Sequence, residues 1–85
     1  MAFAIEFAPS AAREFRKLAR EVQLRMRPRI DALSNDPRPH GAKKLAGARD
    51  LWRIRVGNYR VVYQVRDELL IVLVLRVAHR RDVYR

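Results

Sequence analysis

Gly57 and Asn58 stand between two runs in which apolar residues alternate with others, Leu51–Val56 and residues 59–65. A two-residue connection with Gly first fits a type II′ hairpin turn, because the first central position needs a positive φ that Gly adopts at little cost. The register follows from the turn: Val56 faces Tyr59, Arg55 faces Arg60, Ile54 faces Val61 and Trp52 faces Tyr63. Alternation then separates two faces. Trp52, Ile54, Val56, Val61 and Tyr63 form an apolar face for other elements to cover, while Arg53, Arg55 and Arg60 project together from the opposite one.

The remaining segments sort by period around this hairpin. Phe3, Ile5 and Phe7 alternate, so residues 2–8 read as a first strand. Pro9 and Ser10 supply a stop and an N-cap. Phe15, Leu18 and Val22 keep helical spacing, which Met26, Ile30 and Leu33 continue, so residues 11–33 form two helices or one broken helix. Pro28 inside that run is expected to kink it. Arg25 and Arg29 decorate other faces of the same helix. Residues 34–41 gather Asn35, Asp36, Pro37, Pro39 and Gly41 and are loop. Residues 69–78 read as a last strand, and the turn before it, around 66–68, fits two or three residues. Residues 69–75 are apolar without alternation, which suggests a central strand buried on both faces with the first strand beside it. Residues 80–85 form a turn or short helix. The fold class is α+β: an N-terminal strand, a helical hairpin, and an antiparallel three-strand meander in one sheet with the helices on one face.

With 85 residues there is room for one domain and one core. Lys and Arg number 19 against 9 acidic residues, a formal net charge of +10, which points to a polyanionic partner. Lys occurs only at 17, 43 and 44, so Arg supplies 16 of the 19 cations, the residue that grips phosphate through paired hydrogen bonds. The absence of Cys excludes disulfides, thiolate metal sites and a Cys nucleophile. His40 and His79 are the only histidines and no carboxylate pair shows ligand spacing near either, so no metal is expected. Ser10 and Ser34 have no partners for a hydrolytic triad. The longest apolar run, residues 69–75, is too short to span a bilayer, and residues 1–9 lack the pattern of a signal peptide; a soluble cytoplasmic protein is expected.

Like charges directly opposite on a sheet destabilise it, and a bound phosphate would supply the reason for Arg55 facing Arg60 with Arg53 near by. His79-Arg80-Arg81-Asp82-Val83-Tyr84 adds, at one sheet end, a group that titrates near neutrality, two cations, a carboxylate and a phenol. That mixture suits RNA: proton transfer by His, stabilisation of a pentavalent phosphate by Arg, stacking by Tyr.

Three segments, Lys44-Leu45-Ala46-Gly47, the hairpin from Leu51 through Gly57-Asn58-Tyr59-Arg60 to Tyr63, and the closing His79-to-Tyr84 run, resemble the RelE branch of the RelE/ParE toxin superfamily. The resemblance covers essentially the whole chain, and the order of elements also resembles that family's. It implies the toxin of a type II toxin–antitoxin system, held inactive by a cognate acidic antitoxin in a hetero-oligomer. Once free, such a toxin enters the ribosomal A site and cleaves mRNA without a cofactor. The family's catalytic positions fall on Arg53, Arg55, Arg60, Arg80 and Tyr84. Well-studied members carry Lys where this chain has Arg53 and Arg55; a Lys amine can serve as base whereas Arg hardly can, so His79 is the candidate for proton transfer. Lys43, Lys44, Arg49 and Arg81 are expected to bind RNA. ParE-type relatives share the fold and inhibit DNA gyrase without a nuclease site, which makes a non-enzymatic gyrase inhibitor the alternative, beside an RNA-binding module without catalysis.

Overall fold

A computed structural model describes residues 2–47 and 49–79. The chain runs β1 (Ala4–Phe7), α1 (Pro9–Lys17), α2 (Arg20–Asp31), β2 (Lys43–Lys44), β3 (Leu51–Val56), β4 (Tyr59–Arg66) and β5 (Ile71–His79), with one-turn 3-10 helices at Ala32–Ser34 and Asp67–Leu69. The strands form a single five-stranded sheet in the order β1-β5-β4-β3-β2. β1 lies parallel to β5, and every other pairing is antiparallel. The α+β class, the helical hairpin and the placing of the first strand beside the last agree with the sequence.

The helices differ from expectation in their ends. Pro9 occupies the first helical position with Ala8 as N-cap, so Ser10 lies inside the helix and makes no side-chain cap. Proline is at no disadvantage there, since the amide it lacks would have no intrahelical partner. α1 and α2 are separated by extended backbone at Leu18 and Ala19, although neither Gly nor Pro marks the break. The side-chain amide of Gln23 turns back across the gap and donates to the carbonyls of Phe15 at 3.0 Å and Leu18 at 3.1 Å, satisfying acceptors that a helix end leaves open. α2 then continues through Pro28. Its end is tied to β1 reciprocally: the Phe3 amide donates to the Ser34 carbonyl at 2.8 Å and the Ser34 hydroxyl donates to the Phe3 carbonyl at 2.7 Å.

The β3–β4 hairpin has the register read from its turn, Val56 with Tyr59, Arg55 with Arg60, Ile54 with Val61 and Trp52 with Tyr63. Gly57 has φ +59°, and Asn58 is not among the non-glycine residues with positive φ, which is the type II′ combination. β4 and β5 are joined by four residues, 67–70, rather than two or three, since Arg66 pairs with Ile71. That loop is a 3-10 turn closed by Leu70 in the left-handed region at φ 53°.

Further along the same pair, Val62 faces Arg76 whereas Tyr63 faces Val74, so Leu75 is an extra residue, a β-bulge. The bulge lets Val72, Val74 and Val77 share the helix-covered face despite their odd spacing, all at most 2% exposed. Ile71, Leu73 and Leu75 are only half-buried, so the strand is central but not equally covered on both faces. The core joins Ala11, Met26, Ile30 and Leu33 of the helical layer to Ile54, Val56, Val61, Tyr63 and Val65 of the sheet.

A candidate phosphate-binding face

The face that the helices leave open begins with the hairpin. Strand alternation puts Arg53 and Arg55 of β3 and Arg60 of β4 on it, and the register sets Arg55 directly opposite Arg60. β2, which has no sequence signal because two lysines cannot show a period, adds Lys43 directly opposite Arg53. Two like-charged cross-strand pairs therefore stand side by side, an arrangement that an anion between them would stabilise.

The four cations are not equivalent. Arg55 and Lys43 are exposed and Arg53 is half-buried, but Arg60 is only 5% exposed. A guanidinium held so deep is fixed in position, as a group that stabilises developing charge must be. Its cross-strand neighbour on β5 is Ala78. Between α2 and the edge of β3 lies a groove of about 380 Å³ lined by Arg29, Gly41, Lys43, Arg53 and Arg55. Arg29 thus belongs to the cationic groove, contrary to the expectation that it only decorates a helix. Arg25 stands elsewhere, with its guanidinium beside the Gly57 turn.

Other expected residues are separated from this face. Tyr59 pairs with His79, two residues along β4 from the Val61–Val77 pair of the core, so alternation directs His79 to the helix-covered side. The His79 ring meets that of Tyr59 edge-on with centroids 5.4 Å apart. The register sets His79, expected to transfer protons, on the face away from the arginines: adjacent strand residues point to opposite faces, and Arg60 faces Ala78, not His79. Lys44 pairs with Trp52 and likewise belongs to the other side. Arg49 is an exposed loop residue before β3. Arg80, Arg81 and Tyr84 lie outside the described residues.

A second arginine site lies at the far end of the hairpin. Arg38, in the loop before β2, binds both carboxylate oxygens of Asp67, at 2.7 and 3.2 Å, reaches Asp50 at 3.4 Å and lies 5.6 Å from the centre of the Trp52 ring. The hydrogen bond from Arg38 holds the Asp67 carboxyl below its usual range, and the same bond raises Arg38 further. Beneath them Tyr63, 0% exposed, donates its hydroxyl to the Pro37 carbonyl at 2.8 Å. Burial pushes that phenol up to about 12. On β5, Glu14 of α1 accepts from the Val77 amide at 2.8 Å and pairs with Arg76 at 3.2 Å, covering the strand edge that β1 is too short to reach.

Residues 5–84 match the family described as the ParE toxin of type II toxin-antitoxin system, parDE. The chain is 35% identical over 88 residues to the mRNA interferase toxin RelE of Escherichia coli (strain K12), covering 99% of this chain and 92% of that protein. Its fold matches the toxin of the intact E. coli RelBE toxin-antitoxin complex with a TM-score of 0.83 at 32% identity, over 92% of this chain and 96% of that one. An archaeal RelE-RelB complex from Pyrococcus horikoshii OT3 gives 0.82 at 26% identity, over 94% of this chain and 97% of the other.

Proposed function

The chain belongs to the ParE toxin family of type II toxin–antitoxin systems, and from that premise we propose that it is a toxin of the RelE kind, a ribosome-dependent mRNA endoribonuclease that inhibits translation. The observation that carries this reading is the pair Arg55–Arg60, beside Arg53 and Lys43, on the sheet face that the helices leave open.

In the reaction the RNA 2′-hydroxyl loses its proton as its oxygen attacks the adjacent phosphorus, the bond to the 5′-oxygen breaks as that oxygen takes up a proton, and the products are a 2′,3′-cyclic phosphate and a free 5′-hydroxyl. Negative charge builds on the phosphoryl oxygens in the transition state. Arg60, fixed by burial, and Arg55, facing it from solvent, neutralise that charge from two strands, with Arg53 and Lys43 beside them. The guanidiniums supply electrostatic stabilisation, and no cofactor enters the scheme. Arg80 and Tyr84 remain proposed participants on the strength of the sequence resemblance, Tyr84 by stacking on a base. The toxin acts in the cytoplasm, where ribosomes are, and is neutralised by an acidic antitoxin whose charge complements the +10 chain; the matching structures are RelE–RelB complexes.

The match to a family described by ParE favours a second reading, inhibition of DNA gyrase without nuclease chemistry. Induced expression separates the two: mapped mRNA ends should accumulate on ribosomes, and gyrase supercoiling should proceed normally. Intact ribosome-bound mRNA together with blocked supercoiling would transfer the function to the second reading.

A further inference from the structure

The groove beside β3 extends the cationic face onto the helical layer. Met26 and Ile30 of α2 are both fully buried against the sheet. Arg29 adjoins Ile30 and comes off that buried stripe toward the edge of β3. The edge is open there because β2 is two residues long and pairs only with Trp52 and Arg53, leaving Ile54 and Arg55 without a strand partner on that side. Arg29 fills the flank of this gap.

The composition of the groove sets it apart. Among the described residues its lining is four cations and Gly41, with no acidic or apolar side chain. Two further recesses are smaller, about 140 and 210 Å³, and each has apolar walls, Val22 and Val56 in one, Phe7 and Phe15 in the other. Among the described residues the carboxylates that pair with arginine serve Arg27, Arg38 and Arg76, and none reaches Arg29, Lys43 or Arg55. Repulsion among Arg29, Lys43 and Arg55 is relieved by an anion, and at about 380 Å³ the volume is at the small end of ligand sites.

We propose that Arg29, with Lys43, Arg53 and Arg55, grips a second phosphodiester of the same RNA strand, next to the one cleaved between Arg55 and Arg60. The inference rests on the nuclease reading and deepens it: the strand crosses β3 from the scissile site toward α2. Arg29 is a binding residue, since it stands on the far side of β3 from Arg60. Arg55 lies on both sites, so the groove also sets the register of the RNA.

The test is mRNA cleavage on programmed ribosomes by Arg29→Ala, with Arg25→Ala as the control on the same helix. Arg29 is exposed, so its removal leaves the core intact. The half-saturating concentration should rise about tenfold while the maximal rate falls less than about twofold. The salt dependence of binding should lose the share of one single-strand phosphate, a slope of about 0.7. Neutral methylphosphonates are then placed one at a time at the phosphates flanking the cut. At one flanking position the neutral linkage and Arg29→Ala should each weaken binding about tenfold, yet together cost no more than either alone. Additive losses at every position would mean that Arg29 holds some other anion, such as ribosomal RNA, and would overturn the inference. So would an Arg29→Ala toxin unchanged at all RNA and salt concentrations while Arg60→Ala is inactive. Full activity of Arg60→Ala would instead overturn the nuclease reading itself.

Discussion

The two ends of the β3–β4 hairpin use arginine in opposite ways. At the end near Leu51 and Arg66, Arg38 is surrounded by Asp50, Asp67 and the Trp52 ring, and it ties the loop before β2 to both hairpin strands. At the end near Gly57, Arg55 faces Arg60 and the described residues bring no carboxylate to Arg55, Lys43 or Arg29. An arginine engaged by two carboxylates is committed to the fold, whereas Arg55, Lys43 and Arg29, to which the described residues bring none, can take an anion. Fold and function are thus divided along one hairpin by where the acids fall.

The sharpest way to break this comparison is to remove one arginine from each end. Arg60→Ala should lower mRNA cleavage on the order of a hundredfold or more, because a preorganised cation acting on developing charge is lost. Complex formation with the antitoxin should persist, which separates lost chemistry from lost folding. Arg38→Ala should leave the cleavage rate at 25 °C unchanged. A comparable rate loss in both variants would erase the distinction.

Tyr63 offers a test of the structural end by pH. Its phenol is held neutral by burial, with a folded value of about 12 against an ordinary 10.0. The unfolded chain therefore releases this proton first, so the contribution is fully present below pH 10 and is lost as pH rises toward 12. Denaturant midpoints measured across that window should fall for the native chain by the equivalent of about 2 kcal/mol more than for Tyr63→Phe. Equal pH dependence in the two proteins would show that the phenol is not excluded from water.

Glu14→Ala should destabilise by about 1–3 kcal/mol, since the Val77 amide, on the β5 edge beyond the reach of β1, loses its acceptor. Glu14→Gln keeps an acceptor oxygen and should recover most of that loss in thermal unfolding, which a purely ionic role through Arg76 would not allow. The smallest effect is expected at Arg38→Ala in stability, about 1 kcal/mol, because the pairs it makes are partly exposed and screened. Asp67, lowered by its hydrogen bond to Arg38, contributes stability above its ordinary value of 3.8 that is lost as pH falls through the lower folded value. Acid unfolding of Asp67→Asn should accordingly lack the part of the transition below pH 4 that the native protein shows.

The sequence by itself determined what short-range chemistry controls. Gly57-Asn58 dictates a turn, the turn dictates a register, and the register alone is enough to set Arg53, Arg55 and Arg60 on one face opposite an apolar one. Helical spacing from Phe15 to Leu33 likewise marked the covering layer, because period depends on neighbours a few positions apart. Tertiary structure decided the features that depend on residues far apart in the chain. The bulge at Leu75 is a relation between β4 and β5, and it sets Val77 on the same face as Val74 three positions earlier. His79 goes to the helix-covered side because it pairs with Tyr59, a pairing determined by a four-residue turn and that bulge together. β2 exists only as a partner to β3, and without it Lys43 has no place opposite Arg53. Arg29 joins the cationic groove because the shortness of β2 leaves an opening that α2 flanks, a consequence of packing that no local pattern in residues 20–31 encodes.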